Sequence, residues 1–157
     1  MQILLLCMGK TDEKELLFLI DKYKKRVQQS IQFEIIEGLD IKNRKNLSEI
    51  QQKEKETLWF EKNLKTGDFI ILLDEKGKVF NSKVFAQNLQ SIFNQSHKRI
   101  VFIIGGPYGF SEKMYELSHQ KISLSALTFT HQMVRLFLCE QIYRTFTILE
   151  NKPYHHE

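Results

Sequence analysis

The chain has 157 residues, a length that suits one compact domain with a sizeable core. Its hydrophobic content of 42%, with twelve Phe, excludes a disordered chain, and no run approaches the ~18 apolar residues of a membrane span. The net charge of +4, from 23 basic and 19 acidic residues, is compatible with a nucleic-acid partner without establishing one.

In chain order, Ile3 to Met8 is continuously apolar, as expected of a strand buried on both faces. No basic leader or small-residue cleavage site accompanies it, so it reads as a strand and not as a signal peptide. Gly9-Lys10 turns the chain. Asp12 to Gln28 then repeats at helical period through Leu16, Leu19, Ile20, Tyr23 and Val27, with Thr11 or Asp12 as candidate cap. Ile31 to Glu37 is a second strand, and Gly38 to Leu47 a charged loop expected to be mobile. Ser48 opens a polar helix to about Asn63, with Leu58 and Trp59 on its apolar side.

Phe69 to Leu73 is a third strand, followed by an expected turn at Asp74-Glu75-Lys76-Gly77 and a short extended piece, Lys78 to Phe80. Ser82 is expected to cap a helix carrying Val84, Phe85, Leu89, Ile92 and Phe93. Arg99 to Ile104 is a fourth strand, and Ser111 starts a short helix to about His119. Lys121 to Ser125 is a fifth strand. A final helix runs from near Thr130 to about Leu149, with Val134, Leu138, Ile142, Phe146 and Leu149 on one face. Strands alternating with helices, and lacking strict polar alternation, predict an α/β fold: one open, mainly parallel sheet with helices on both faces, spanning residues 1–157 as a single domain.

In such sheets ligands sit beyond the carboxyl ends of the strands. Three ends carry unusual chemistry: Leu73-Asp74, the loop Gly105 to Phe110, and Leu124 to Thr130. The glycine loop lacks the Lys-Ser/Thr pair of a phosphate-binding loop, and its spacing is not that of a dinucleotide fingerprint. It fits either a backbone-lined site for an adenosine-containing cofactor or a tight turn with no ligand. Ser123 to Thr130 mixes hydroxyls with apolar side chains, which suits a nucleoside site; it also suits a helix-capping segment through Thr128 or Thr130. Cys7 and Cys139 lie far apart in apolar runs and read as buried thiols in a reducing compartment. No cysteine–histidine cluster has metal-site spacing. The lysines and arginines at Lys22 to Arg26 and Lys42 to Lys45 form either a solvated face and loop or a phosphate-contacting surface.

These loops and the tail together resemble the ribosomal RNA large subunit methyltransferase H family of the SPOUT superfamily. The residues that carry the likeness are Ile3 to Lys10, Ile103 to Gly106, Gly109, Ser123 to Ser125, Thr128, His131-Gln132, Arg135, Glu140-Gln141, Tyr143-Arg144 and Tyr154-His155, so the resemblance spans essentially the whole chain. Two positions depart from it. Thr130 replaces a common proline, a change that helix capping accommodates. Pro107 and Tyr108 stand where small or polar residues are frequent. The resemblance implies a C-terminal trefoil knot, a homodimer with its active site near the subunit interface, a cytoplasmic location and no metal or membrane partner. It implies S-adenosylmethionine as cofactor, held by Leu73, Gly105, Leu124, Ser125, Ala126, Leu127, Thr128 and Phe129. The implied reaction is N3-methylation of a pseudouridine in a stem-loop of large-subunit rRNA, in the assembled ribosome.

Methyl transfer from a sulfonium needs alignment and charge placement, not a covalent enzyme nucleophile. His155 is a chemically suitable acceptor for the imide proton, and Tyr154 a contact for the target base. Arg135 and Arg144 are candidate phosphate or substrate contacts through their planar forks. Arg144 can equally pair with Glu140 one helical turn away, and His131, on one face with Arg135, can be structural. Tyr108 can stack on a base or pack at its turn. Two other readings stay open on sequence grounds: a superfamily enzyme acting on tRNA or another rRNA nucleotide, and a non-enzymatic ribosome-associated RNA-binding protein.

Overall fold

The computed structural model describes all residues except 39, 40, 42, 43 and 155 to 157, together with the side chain of Arg44. Parts of the charged loop, including Lys42, therefore lie outside the described residues, as does His155. Five strands form one parallel sheet: β1 (Gln2–Met8), β2 (Gln32–Gly38), β3 (Asp68–Val79), β4 (Arg99–Ile104) and β5 (Gln120–Ser123), in the order β2-β1-β4-β3-β5. The helices are α1 (Lys14–Val27), α2 (Glu49–Asn63), α3 (Ser82–Phe93), α4 (Glu112–Leu117) and α5 (His131–Leu149).

Alternation along the central strands divides the core in two. Ile3, Leu5 and Cys7 of β1, with Ile100 and Phe102 of β4, pack under α1, α3 and α5. Leu4, Leu6 and Met8, with Val101 and Ile103, face Phe60 of α2 and Met114 of α4. The central strands are buried on both sides, which is why their sequences are unbroken apolar runs. Both cysteines are free, and burial pushes their thiols up to about 12.

Four local expectations need correction. The stretch Asp74 to Gly77 is not a turn between separate strands. It continues β3 as a bulge: Leu73 and Lys78 both stand opposite Ile122, and the residues between them leave the ladder. Gly77 lies so close to β5 that a Cβ would fall 2.5 Å from the Ile122 carbonyl carbon, so only glycine returns the strand to its neighbour. Asn81, not Ser82, caps α3; its Oδ1 accepts from the Val84 N–H at 2.9 Å. Neither Thr11 nor Asp12 caps α1, whose N-cap is Glu13 with no side-chain bond. Leu58 is 58% exposed, and the buried side of α2 is largely polar, with Gln52, Glu56 and Thr57 beside Phe60. That inversion has a cause at the carboxyl edge of the sheet.

Candidate functional site

The carboxyl ends of β3, β4 and β5 open into a cleft of about 430 Å³, within the range of small-molecule sites. Its floor holds Leu73 and Ile104, one wall is the loop Gly105 to Phe110, and the opposite wall includes Leu124, Ser125, Leu127, Thr128 and Phe129. The bulge of β3 pushes Asp74, Glu75 and Lys76 onto its rim. Of the residues that the resemblance implies for the cofactor, Ala126 alone does not line the cleft.

The glycine wall is fixed from beneath. Glu56 of α2, 3% exposed, accepts the Gly106 N–H at 2.9 Å on one oxygen and the Gln52 side-chain amide at 2.9 Å on the other. A Cβ at Gly106 would stand 2.1 Å from Glu56 Oε1, so the carboxylate reaches the backbone because this residue is glycine. This is the reason α2 turns a polar side inward. Phe110 closes the space behind Gly105, and the Gly109 N–H donates to the Gly106 carbonyl at 3.2 Å.

The other wall is differently made. Ser123 Oγ donates to the Ser125 carbonyl at 2.8 Å, and Ser125 Oγ accepts the Leu127 N–H at 2.9 Å. Among the described residues, Ala126 to Phe129 take part in no backbone–backbone hydrogen bond. They are exposed, Leu127 to 73%. Thr130 ends the segment by capping α5, accepting from the Met133 N–H. At the rim the Tyr115 hydroxyl donates to Asp74 Oδ2 at 2.5 Å; burial, followed by this bond, pushes the phenol up to about 12.

A second cleft of about 330 Å³ lies where the chain leaves β1, lined by residues that include Gly9, Lys10, Gln132 and Arg135. Gly106, Pro107 and His131 line both clefts.

The structure sets Arg135 apart from Arg144 and Tyr154, which it brings together. Arg135 is 2% exposed. Its Nη1 donates to Thr11 Oγ1 at 2.8 Å and to Glu37 Oε1 at 3.1 Å, and its Nη2 to the Met8 carbonyl at 2.6 Å. The fork expected to reach substrate thus ties α5 to the ends of β1 and β2. Arg144 makes the Glu140 pair, Nη2 to Oε1 at 2.8 Å, and lies 4.9 Å over the Tyr154 ring. Tyr154 packs against Tyr143 and donates to Glu140 at 3.0 Å, with its oxygen 3.4 Å from the Tyr23 hydroxyl. Burial and these partners raise its phenol above the usual range, so it acts as a donor and not as a base. Glu140 is six residues beyond Val134, the last α5 residue that lines the cleft, about 9 Å along the helix axis, so Tyr154 docks outside the cleft of its own chain. His155 lies outside the described residues.

Glu56, the Tyr115–Asp74 pair and the second cleft are absent from the sequence reading. The Gln52–Glu56 spacing of four was the available signal for a shared inward face. Nothing local marks Gly106 as its partner fifty residues on. Among the described residues, no group of three or more His, Cys, Asp or Glu is placed to hold a metal, and no helix is long and apolar enough to cross a membrane.

The fold is similar to that of a probable methylase family protein from Haemophilus influenzae. That structure superposes with a TM-score of 0.57 at 10% identity, over 99% of this chain and 70% of that one, a likeness of fold alone. Sequence comparison is more specific. The family described as predicted SPOUT methyltransferase matches residues 1–155. Proteins called ribosomal RNA large subunit methyltransferase H are 55% identical in Flavobacterium johnsoniae, over all of both chains, and 53% identical in Christiangramia forsetii, over 99% of each. The chain belongs to the SPOUT methyltransferases, in the ribosomal RNA large subunit methyltransferase H family.

Proposed function

We propose that this protein methylates large-subunit ribosomal RNA at N3 of a pseudouridine, drawing the methyl from S-adenosylmethionine. The observation that carries the reading is the convergence of Leu73, Gly105 and the Leu124–Phe129 segment on one cleft, in a chain of this family. The donor set suits the cofactor. The N–H groups of Ala126, Thr128 and Phe129 and the carbonyls of residues 126–129 are available to hydrogen-bond an adenosine, Leu124, Leu127 and Phe129 offer apolar surface to its base, and Asp74 and Glu75 place negative charge on the rim facing a cationic ligand. S-adenosylmethionine, when bound, supplies a methyl on a cationic sulfur that keeps the S–C bonding pair as the methyl leaves.

The protein's own residues align and exclude. Glu56 holds the Gly106 amide, and with it the wall separating the two clefts, in one position. Arg135 fixes the start of α5 against β1 and so sets the distance between the walls; its burial makes it a positioning residue. The acceptor's N3 forms the new N–C bond and gives up its proton, for which His155 is the proposed acceptor. Tyr154 orients the base, and Arg144 steadies Tyr154 and meets the RNA backbone. Because Tyr154 docks along α5 outside its own cleft, the reading includes a homodimer in which each tail serves its partner's site. It also includes the trefoil knot, with β5 and the segment after it as the threaded part, and action on assembled ribosomes in the cytoplasm.

The test is incubation of ribosomes from cells lacking this activity with the protein and methyl-labelled cofactor, followed by mass mapping of nucleosides. Label on N3 of a pseudouridine in large-subunit rRNA is expected. Cofactor binding without label there, or label on tRNA, contradicts the proposal.

A further inference from the structure

We propose that Asp74 is a specificity residue of the cofactor cleft: its carboxylate, held in place by Tyr115, favours the cationic S-adenosylmethionine over the product S-adenosylhomocysteine. The inference rests on the methyltransferase reading and adds to it a means of telling fresh cofactor from spent. Transfer moves the methyl group to the acceptor and leaves the S–C bonding pair on sulfur. The product therefore keeps the adenosine and amino-acid parts and carries one positive charge less. A single methyl group offers little to recognition by shape, whereas a fixed carboxylate responds to the whole unit of charge.

The fold brings this carboxylate to the cleft by a built device. Directly after Leu73 on the floor, β3 bulges: Leu73 and Lys78 stand opposite the same residue, Ile122, and Asp74 to Gly77 leave the ladder. Bulges of this kind re-aim side chains beside ligand sites. Asp74 is half-buried at the rim, and both its oxygens are oriented. Oδ2 accepts the Tyr115 hydroxyl at 2.5 Å, and Oδ1 accepts the Lys76 N–H at 2.8 Å. So short a bond from a hydroxyl is of the charge-assisted kind. Burial, followed by this bond, pushes the phenol up to about 12, so it stays a donor at neutral pH. Tyr115 is fixed in turn: its ring meets Phe110 edge-on at 6.0 Å, and Phe110 fills the space behind Gly105. The carboxylate is thereby tied to the anchored glycine wall. About two of its roughly four lone-pair sites remain for a ligand. Glu75, next in the chain, is exposed, and solvent screens its charge. Among the described residues lining the cleft, Lys76 is the only lysine or arginine, and it too is exposed. Neither the turn with Lys76 nor the bond to Tyr115 requires a charge, since an amide side chain can make both. The charge is what the ligand reads.

The experiment measures the affinity of both ligands by calorimetry for wild type, Asp74→Asn, Tyr115→Phe and Glu75→Gln. For Asp74→Asn the expected result is binding of S-adenosylmethionine weaker by roughly tenfold, with S-adenosylhomocysteine within about twofold of wild type. Tyr115→Phe, which frees the carboxylate to turn, lowers the ratio of the two affinities by a smaller factor. Glu75→Gln leaves the ratio within about twofold of wild type, as screening of an exposed charge requires. In the wild type the ratio falls as KCl is raised, a readout that needs no variant. An Asp74→Asn protein that binds both ligands equally more weakly, or neither more weakly, overturns the inference and leaves the cofactor reading standing. An equal fall in Glu75→Gln, or a wild-type ratio indifferent to KCl, does the same. A wild-type protein that binds neither ligand overturns the cofactor reading and this inference with it.

Discussion

The two walls of the first cleft are built on opposite principles. The glycine wall is anchored: a carboxylate 3% exposed grips the Gly106 amide, Phe110 fills the space behind Gly105, and a tight turn closes on itself. The Leu124–Thr130 wall is held at its ends, by two serine hydroxyls on one side and the Thr130 cap on the other, and its middle stands in solvent. An anchored wall fixes where the reacting centre sits without ordering cost at the moment of binding. An open wall keeps backbone groups available to a ligand. Stability and binding should therefore respond differently to changes in the two.

The largest expected effect comes from the joint beneath both. Arg135→Met leaves Glu37 and the Met8 carbonyl without their partner and should lower unfolding stability by about 3 kcal/mol, measured by urea titration. A loss below about 1 kcal/mol would mean the cluster does not hold the walls together. Next is Glu56→Ala, which orphans the Gly106 N–H and the Gln52 amide. It should cost about 1–3 kcal/mol of stability and weaken cofactor binding in calorimetry, whereas Glu56→Gln, which retains an acceptor, recovers part of both. On the open wall, Ser125→Ala should change stability by less than about 0.5 kcal/mol yet weaken cofactor binding several-fold. Equal effects on stability from the two walls would dissolve the contrast.

The smallest effect is a pH dependence far from the site. His119 Nδ1 accepts the Ile70 N–H at 3.0 Å, and burial, with His97 close by, lowers its pKa. The folded state disfavours its protonation, so this contribution is complete above the unfolded histidine value, near 6.5, and fades as pH falls below it. His119→Gln should flatten that part of the stability–pH curve, leaving cofactor affinity unchanged.

The sheet was legible because its central strands are buried on both faces and so appear as unbroken apolar runs; Ile3 to Met8 and Arg99 to Ile104 needed no tertiary information. The caps Ser48, Ser111 and Thr130 were legible for a local reason, a side-chain oxygen three residues before an amide. Apart from the caps of α1 and α3, what failed was non-local. Asp74 to Gly77 has turn composition, and only pairing with β5 draws it back into a strand. Leu58 faces solvent because its helix must point Glu56 at a backbone amide fifty residues away, a demand that periodicity does not record. The segments proposed for the cofactor were singled out through the family resemblance, since their residue types alone fit a capping loop equally well. Arg135 was expected to contact phosphate or substrate through its planar fork; its burial against β1 and β2 was invisible until the strands were placed.

The most direct test of the central claim is hydrogen exchange with and without S-adenosylmethionine. Slowed exchange is expected at the amides of Ala126, Thr128 and Phe129, which take part in no backbone–backbone hydrogen bond among the described residues, with little change at Gly106 and Leu127, whose amides Glu56 and Ser125 already hold. Binding of the cofactor with Ala126, Thr128 and Phe129 still exchanging freely, or with protection confined to another part of the molecule, would contradict the proposed cofactor site.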